Sequence, residues 1–145
     1  SDLADMPKEM AESWNPRIEL AISQGCAALA DSTVERWFGT EYVKNSRHAD
    51  VIEKFKSQIS ATSVNGFVGC ARAIQKLNYA NAAPSIAARI TFLSGENDGP
   101  FPKALSELAA QLPNAQYCGV ADSGHLPNIQ NPAGFNRILQ GHFGL

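Results

Sequence analysis

The sequence predicts an α/β chain in two parts, a helical segment over residues 1–82 followed by strand-helix-strand-helix over residues 83–145. Three observations carry this. Up to Leu77 the apolar residues recur at three- and four-residue steps, the period of a helix face. Beyond Pro84 they gather instead into short β-rich runs. The change falls at Asn81-Ala82-Ala83-Pro84, and no internal repeat, low-complexity tract or charge block divides the chain elsewhere.

In the first part, Trp14, Ile18, Ala21, Ile22 and Gly25 predict a helix from about Trp14 to Leu29, with Pro16 tolerated in its first turn. A short second helix is expected within residues 31–39, where Ser32 and Glu35 have capping-box spacing and Gly39 gives the stop. Val51, Ile52, Phe55 and Ile59 define a third helix. Val64, Phe67, Val68, Ala71, Ile74 and Leu77 define a fourth, capped by Thr62 or Ser63. Four short helices without a strand suit a cap or small bundle.

In the second part, Ile90-Thr91-Phe92-Leu93, closed by Ser94-Gly95, has the composition of a strand buried on both faces. Pro102 to Leu112 predicts a helix, Ala115–Val120 a second strand, and Pro132 starts a terminal helix with Phe135, Ile138 and Leu139. Alternation of strand and helix implies parallel pairing. Two buried parallel strands need neighbours at their edges and helices on their faces, so the expectation is a sheet completed by another chain.

With 145 residues, 44% hydrophobic and 18% charged, the chain has the makeup of a globular domain. Its net charge of -2, with scattered Lys and Arg, gives no footprint for nucleic acid or an anionic membrane. Charges interrupt every apolar stretch well before the roughly 18 residues that span a bilayer. Cys26, Cys70 and Cys118, odd in number and far apart, suit neither a disulfide framework nor zinc spacing and point to a reducing, cytoplasmic compartment.

The chemistry concentrates at two strand ends. The first strand runs into Gly95-Glu96-Asn97-Asp98, which places an acid at the carboxyl edge of a sheet, where open α/β folds put their ligands. The second runs into Asp122-Ser123-Gly124-His125-Leu126, so a histidine projects from a neighbouring strand end. A carboxylate there accepts from the histidine Nδ1–H, fixing its tautomer and stabilising the imidazolium during proton transfer.

Strand-Gly-x-x-Asp, then Ser123-Gly124-His125-Leu126 and Asn131-Pro132-x-x-Phe135, resembles the end of an α/β-hydrolase, a family whose catalytic triad runs Ser, acid, His along the chain. Trp14-Asn15-Pro16-Arg17-Ile18-Glu19, Gly25 and Glu35-Arg36-Trp37-Phe38 are similar to the cap of the 3-oxoadipate enol-lactonases. The resemblance covers nearly the whole chain. It implies the C-terminal half of an α/β-hydrolase fold, with residues 1–82 as the helical cap, or lid, and residues 83–145 as part of the core. It also implies Asp98 as the triad acid, His125 as the general base, Trp14 as a residue lining the substrate pocket, and no metal or organic cofactor.

The Gly-x-Ser-x-Gly elbow that carries the family's nucleophile occurs nowhere in the sequence. Ser1-Asp2 resembles the end of the strand leading into the cap, so the expectation is a cleaved or split hydrolase. Its N-terminal half, on a separate chain, would supply the serine, and the substrate would be a small ester or lactone. The rival expectation is a non-catalytic binding or structural protein on the same scaffold. The sequence departs from the family at Arg89-Ile90-Thr91, where many relatives have Pro-Thr-Leu, and at the bulky Gly99-Pro100-Phe101-Pro102 turn.

Blander roles compete for each residue. An acid after a glycine is commonly turn chemistry; its place one strand before Ser123-Gly124-His125 is what singles out Asp98. His48 and His142 are expected to be surface or hydrogen-bonded residues, Asp122 a loop residue, and Trp37 and Phe38 core aromatics. Asp2 is the runner-up acid and Ser1 a remote candidate for an N-terminal nucleophile.

Overall fold

The computed structural model describes residues 7–79 and 82–145. Ser1, Asp2 and Asn81, named above, lie outside the described residues. The chain forms two compact units, one running to Asn78 and the other from Tyr79 to Leu145.

The first unit is helical: α1 (Lys8–Glu12), α2 (Asn15–Gln24), α3 (Ala30–Phe38), α4 (Thr40–Lys44), α5 (Ala49–Ser60) and α6 (Val64–Ile74). Pro16 sits in the first turn of α2, where a missing N–H costs nothing, and Ile18 and Ala21 are buried on one face. The expected helix to Leu29 breaks at Gly25, whose φ of 80° ends α2 in a conformation that glycine adopts without strain. A 3-10 turn, Cys26–Leu29, then brings buried Cys26 and Leu29 against Ala21, with Leu20, Ile59, Val64 and Phe67 packed around them.

The capping box also fails. The 3-10 turn feeds directly into α3, so Ser32 lies inside the helix and its hydroxyl donates back to the Leu29 carbonyl at 3.2 Å. Glu35 accepts instead from the Thr40 hydroxyl at 2.7 Å. Ser63 caps α6, accepting from the Gly66 N–H at 3.4 Å, and Leu77 falls beyond the helix end. Phe38 stacks on Tyr42 and meets Phe55 edge-on, with ring centroids 5.2 Å apart in both pairs. Trp37 packs on the same Phe55, so both aromatics serve the core of this unit.

The second unit comprises β1 (Ile90–Gly95), α7 (Phe101–Ala110), β2 (Ala115–Val120), α8 (Pro127–Gln130) and α9 (Pro132–Phe143). The strands pair in parallel, from Ile90 opposite Ala115 to Gly95 opposite Val120. Asn114 sets this register: its carbonyl accepts from the Ile90 N–H at 2.9 Å, while its side-chain amide donates to the carbonyls of Ile86 and Ala88. Leu108 and Ala109 bury one face of α7. The strands are not buried along their length as expected. Only Ser94, Gly95 and Val120 are, because α7 is the principal cover and the sheet has two strands among the described residues.

Candidate active site

Parallel pairing delivers both chemical loops to one end of the sheet, since β1 and β2 finish side by side at Gly95 and Val120. The loops are joined main chain to main chain. The Glu96 N–H donates to the Val120 carbonyl at 3.0 Å, and the Asn97 N–H to the Ser123 carbonyl at 2.9 Å. A Cβ on Gly95 would lie 2.2 Å from the Ser123 and Gly124 carbonyl oxygens, so no residue with a side chain fits there without moving backbone.

The histidine loop is fixed from three sides. Asp122 adopts a φ of 53°, which turns the chain sharply, and Ser123 is fully buried with its hydroxyl donating to the Val120 carbonyl at 2.8 Å. Ser123 is thus a structural hydroxyl within its own turn. The Gly124 N–H donates to Gln130 Oε1 at 2.8 Å. Asn131 accepts from the Gly134 N–H at 2.9 Å, capping α9, and its Nδ2 donates to the Ala121 carbonyl at 3.0 Å. Gln130 is a site-building residue that motif reading did not single out; Asn131 stands in the Asn131-Pro132-x-x-Phe135 motif, and an Asn before a helix-starting Pro is an N-cap signature.

The result is a carboxylate and an imidazole in direct contact. His125 Nδ1 stands 2.9 Å from Asp98 Oδ2 and 3.2 Å from Oδ1. The Asp98 side chain is 13% exposed and that of His125 42%, so the acid lies behind the base and the base meets the solvent side. The Phe101 ring flanks the imidazole, centroids 5.9 Å apart. With Nδ1–H donated to the carboxylate, Nε2 carries the basic lone pair. Such a pair can accept a proton from a hydroxyl and hold the resulting imidazolium.

Trp14 belongs to the helical unit, where it packs on Phe67 with centroids 6.4 Å apart and under the guanidinium of Arg17. His48 stacks on Tyr42 in the same unit, and His142 Nδ1 is hydrogen-bonded to the Thr91 hydroxyl at 2.8 Å, as expected for histidines of ordinary surface and packing roles. A shallow depression of about 390 Å³ near Val34, Val43 and Lys56 includes Lys56 and Asp31, paired at 2.7 Å, in its lining and holds neither Asp98 nor His125. Among the described residues no group of three or more His, Cys, Asp or Glu is placed to hold a metal, and no helix is long and apolar enough to cross a membrane. Cys26, Cys70 and Cys118 are free thiols.

A helical unit, followed by a parallel βαβ unit with acid and histidine at adjoining strand ends, defines an α/β chain of the hydrolase class. Residues 13–132 match the profile of the alpha/beta hydrolase fold, and the chain belongs to that family. It is related to 3-oxoadipate enol-lactonases. It is 26% identical over 130 residues to 3-oxoadipate enol-lactonase 1 of Acinetobacter baylyi, covering 90% of this chain and 48% of that protein. The enol-lactonase structure from Burkholderia xenovorans superposes with a TM-score of 0.84 at 27% identity, over 92% of this chain and 51% of that one. A thermophilic esterase from Thermogutta terrifontis shares the fold, with a TM-score of 0.83 at 20% identity. The chain spans about half the length of the curated relatives it matches.

Proposed function

We propose that this chain is the lid, acid and base of a serine-type hydrolase acting on an ester or enol-lactone of the 3-oxoadipate type. The observation that carries the reading is the 2.9 Å contact between His125 Nδ1 and Asp98. A serine on an N-terminal half attacks the carbonyl while His125 takes its proton through Nε2. Asp98 orients the ring and stabilises the imidazolium. His125 then protonates the leaving oxygen, and water attacks the acyl-enzyme by the same route. The helical unit acts as the lid, with Trp14 contacting substrate.

That N-terminal half is the partner we infer, as a separate chain. Two features support a missing neighbour. The strands are half-exposed, and Ile86, Leu139 and Phe143 of the second unit present large apolar side chains to solvent. The free thiols suit a reducing compartment, which favours the cytoplasm.

The test is reconstitution. The chain is mixed with an N-terminal half bearing Gly-x-Ser-x-Gly and assayed on p-nitrophenyl esters and 3-oxoadipate enol-lactone. Turnover that collapses in His125→Ala supports the reading. Equal turnover in that variant would refute the base, and a natural N-terminal half lacking the serine motif would favour the non-catalytic scaffold. Intact mass of the native material shows whether a companion of about 100 to 130 residues accompanies this chain.

A further inference from the structure

A hydrogen bond to a carboxylate does not by itself keep an imidazole aimed. Rotation of a histidine ring about χ2 is a broad, soft torsion, and the Asp98 contacts hold one edge of the His125 ring, through Nδ1, at 2.9 and 3.2 Å. The His125 side chain is 42% exposed, so water can compete at that edge, whereas Asp98 is only 13% exposed. An apolar group flanks the pair. The Phe101 ring stands with its centroid 5.9 Å from that of the imidazole, the two planes tilted by 51°.

Local chain geometry puts that ring in place. Gly99 takes a φ of 52°, in the left-handed region that glycine enters without strain. The Phe101 N–H then closes the turn by donating to the Asp98 carbonyl at 3.1 Å, which brings residue 101 back beside the acid. Pro100 and Pro102 stand on either side of it, each with φ restricted by its own ring. Phe101 also opens α7, whose Leu108 and Ala109 are buried. The ring is half-buried and mounted on a rigid element. A tilted aromatic pair at this spacing is attractive and resists rocking of either plane. An apolar wall beside the carboxylate–imidazole bond also displaces competing water, and the attraction within the bond grows as the local dielectric falls.

We infer that Phe101 is a positioning residue of the pair: it holds the imidazole plane and keeps water from the Asp98–His125 hydrogen bond. The shielding follows from the geometry of this unit alone; its consequence for turnover rests on the hydrolase reading above. Phe101 acts through His125 and carries no proton, so its removal should act on kcat and not on KM. The bulky turn at Gly99-Pro100-Phe101-Pro102, where the sequence departs from the family, thereby acquires a task.

Two measurements test it, of which the first needs no turnover. In NMR spectra of the full chain labelled with nitrogen-15, the His125 Nδ1–H should give a resonance downfield of the backbone amides, kept sharp by slow exchange with water. It should be lost in Phe101→Ala and kept in Phe101→Tyr. The Gly124 amide, held by Gln130 at 2.8 Å in the same loop, should stay in place in both variants. A parent protein without the Nδ1–H resonance, or one equally sharp in Phe101→Ala, overturns the inference. If Phe101→Ala loses the Gly124 amide as well, the loop has come apart. Phe101→Val, which keeps an apolar side chain at the start of α7 but is too short to cover the imidazole, is then read in the same way, and a resonance as sharp as the parent's overturns the inference.

The second measurement is steady-state kinetics of the reconstituted hydrolase on a neutral ester. In Phe101→Ala kcat should fall about ten- to a hundredfold with KM little changed, as for a misaimed reacting group, and Phe101→Tyr should recover most of the loss. A change confined to KM places the ring on the substrate instead of the base and overturns the positioning role. If the parent turns nothing over, it is the hydrolase reading that fails, and the NMR comparison alone decides the shield.

Discussion

Gly95 and Ser123 approach so closely that a Cβ on the glycine would stand 2.2 Å from the serine's carbonyl oxygen. Gly95→Ala should therefore be destabilising by about 3 kcal/mol, toward the upper end of overpacking costs, because the atoms in the way are backbone. Gly141→Ala, in α9 with no atom within 4 Å of the added methyl, should stabilise by roughly 0.5–1 kcal/mol. Denaturant melts of the two variants should move in opposite directions.

Asp98→Asn keeps the size of the acid but removes the charge that faces His125 Nδ1. In the reconstituted hydrolase kcat should fall on the order of a thousandfold or more, with KM little changed, as when a triad histidine is held in the wrong tautomer. Steady-state kinetics on a neutral ester measures this, and a loss confined to KM would refute the orienting role.

Asn131 makes two bonds, capping α9 at Gly134 and tying down the Ala121 carbonyl ahead of His125. Asn131→Ala should cost about 2 kcal/mol, since both a cap and a loop tether are lost. Ser63→Ala, at a longer cap of 3.4 Å with no second bond, should cost well under about 1 kcal/mol. Equal costs for the two would show that the tether to Ala121 contributes nothing.

The Asp31 side chain, hydrogen-bonded to Lys56, raises the lysine's pKa above the ordinary 10.5, with further help from Glu53. A lysine with a raised folded-state pKa lends stability that is fully present below the unfolded value and fades as pH rises through the folded one. At neutral pH the pair is therefore intact, and its contribution should disappear only above about 10.5. Comparing melts of the protein and Asp31→Asn across that range reads the effect. Because both groups meet solvent, salt should weaken it at every pH.

The second unit was the more legible half. Ala115–Val120 and the start of α9 at Pro132 coincide with their sequence signals, because a β-rich run between turns and an Asn-Pro start have few competing local solutions. The helical unit was less so. The apolar spacing through Trp14, Ile18, Ala21 and Ile22 does not register that Gly25 turns the chain, and a 3-10 turn keeps burying apolar residues at much the same rhythm. Ser32 had the right neighbours for a cap but sat two residues inside the helix.

At the site, Asp98 and His125 were legible from the strand ends that carry them. Gly95 and Asn131 stood in the quoted motifs, but what they touch, like the whole role of Gln130, lies across the fold and not in local spacing.

The bonds from Glu96 to Val120 and from Asn97 to Ser123 run through amides and carbonyls that every residue type but proline supplies. The spacing of acid and base is consequently insulated from the identity of the residues between them. Side chains at 96 and 97 can be exchanged while the Asp98–His125 pair keeps its spacing.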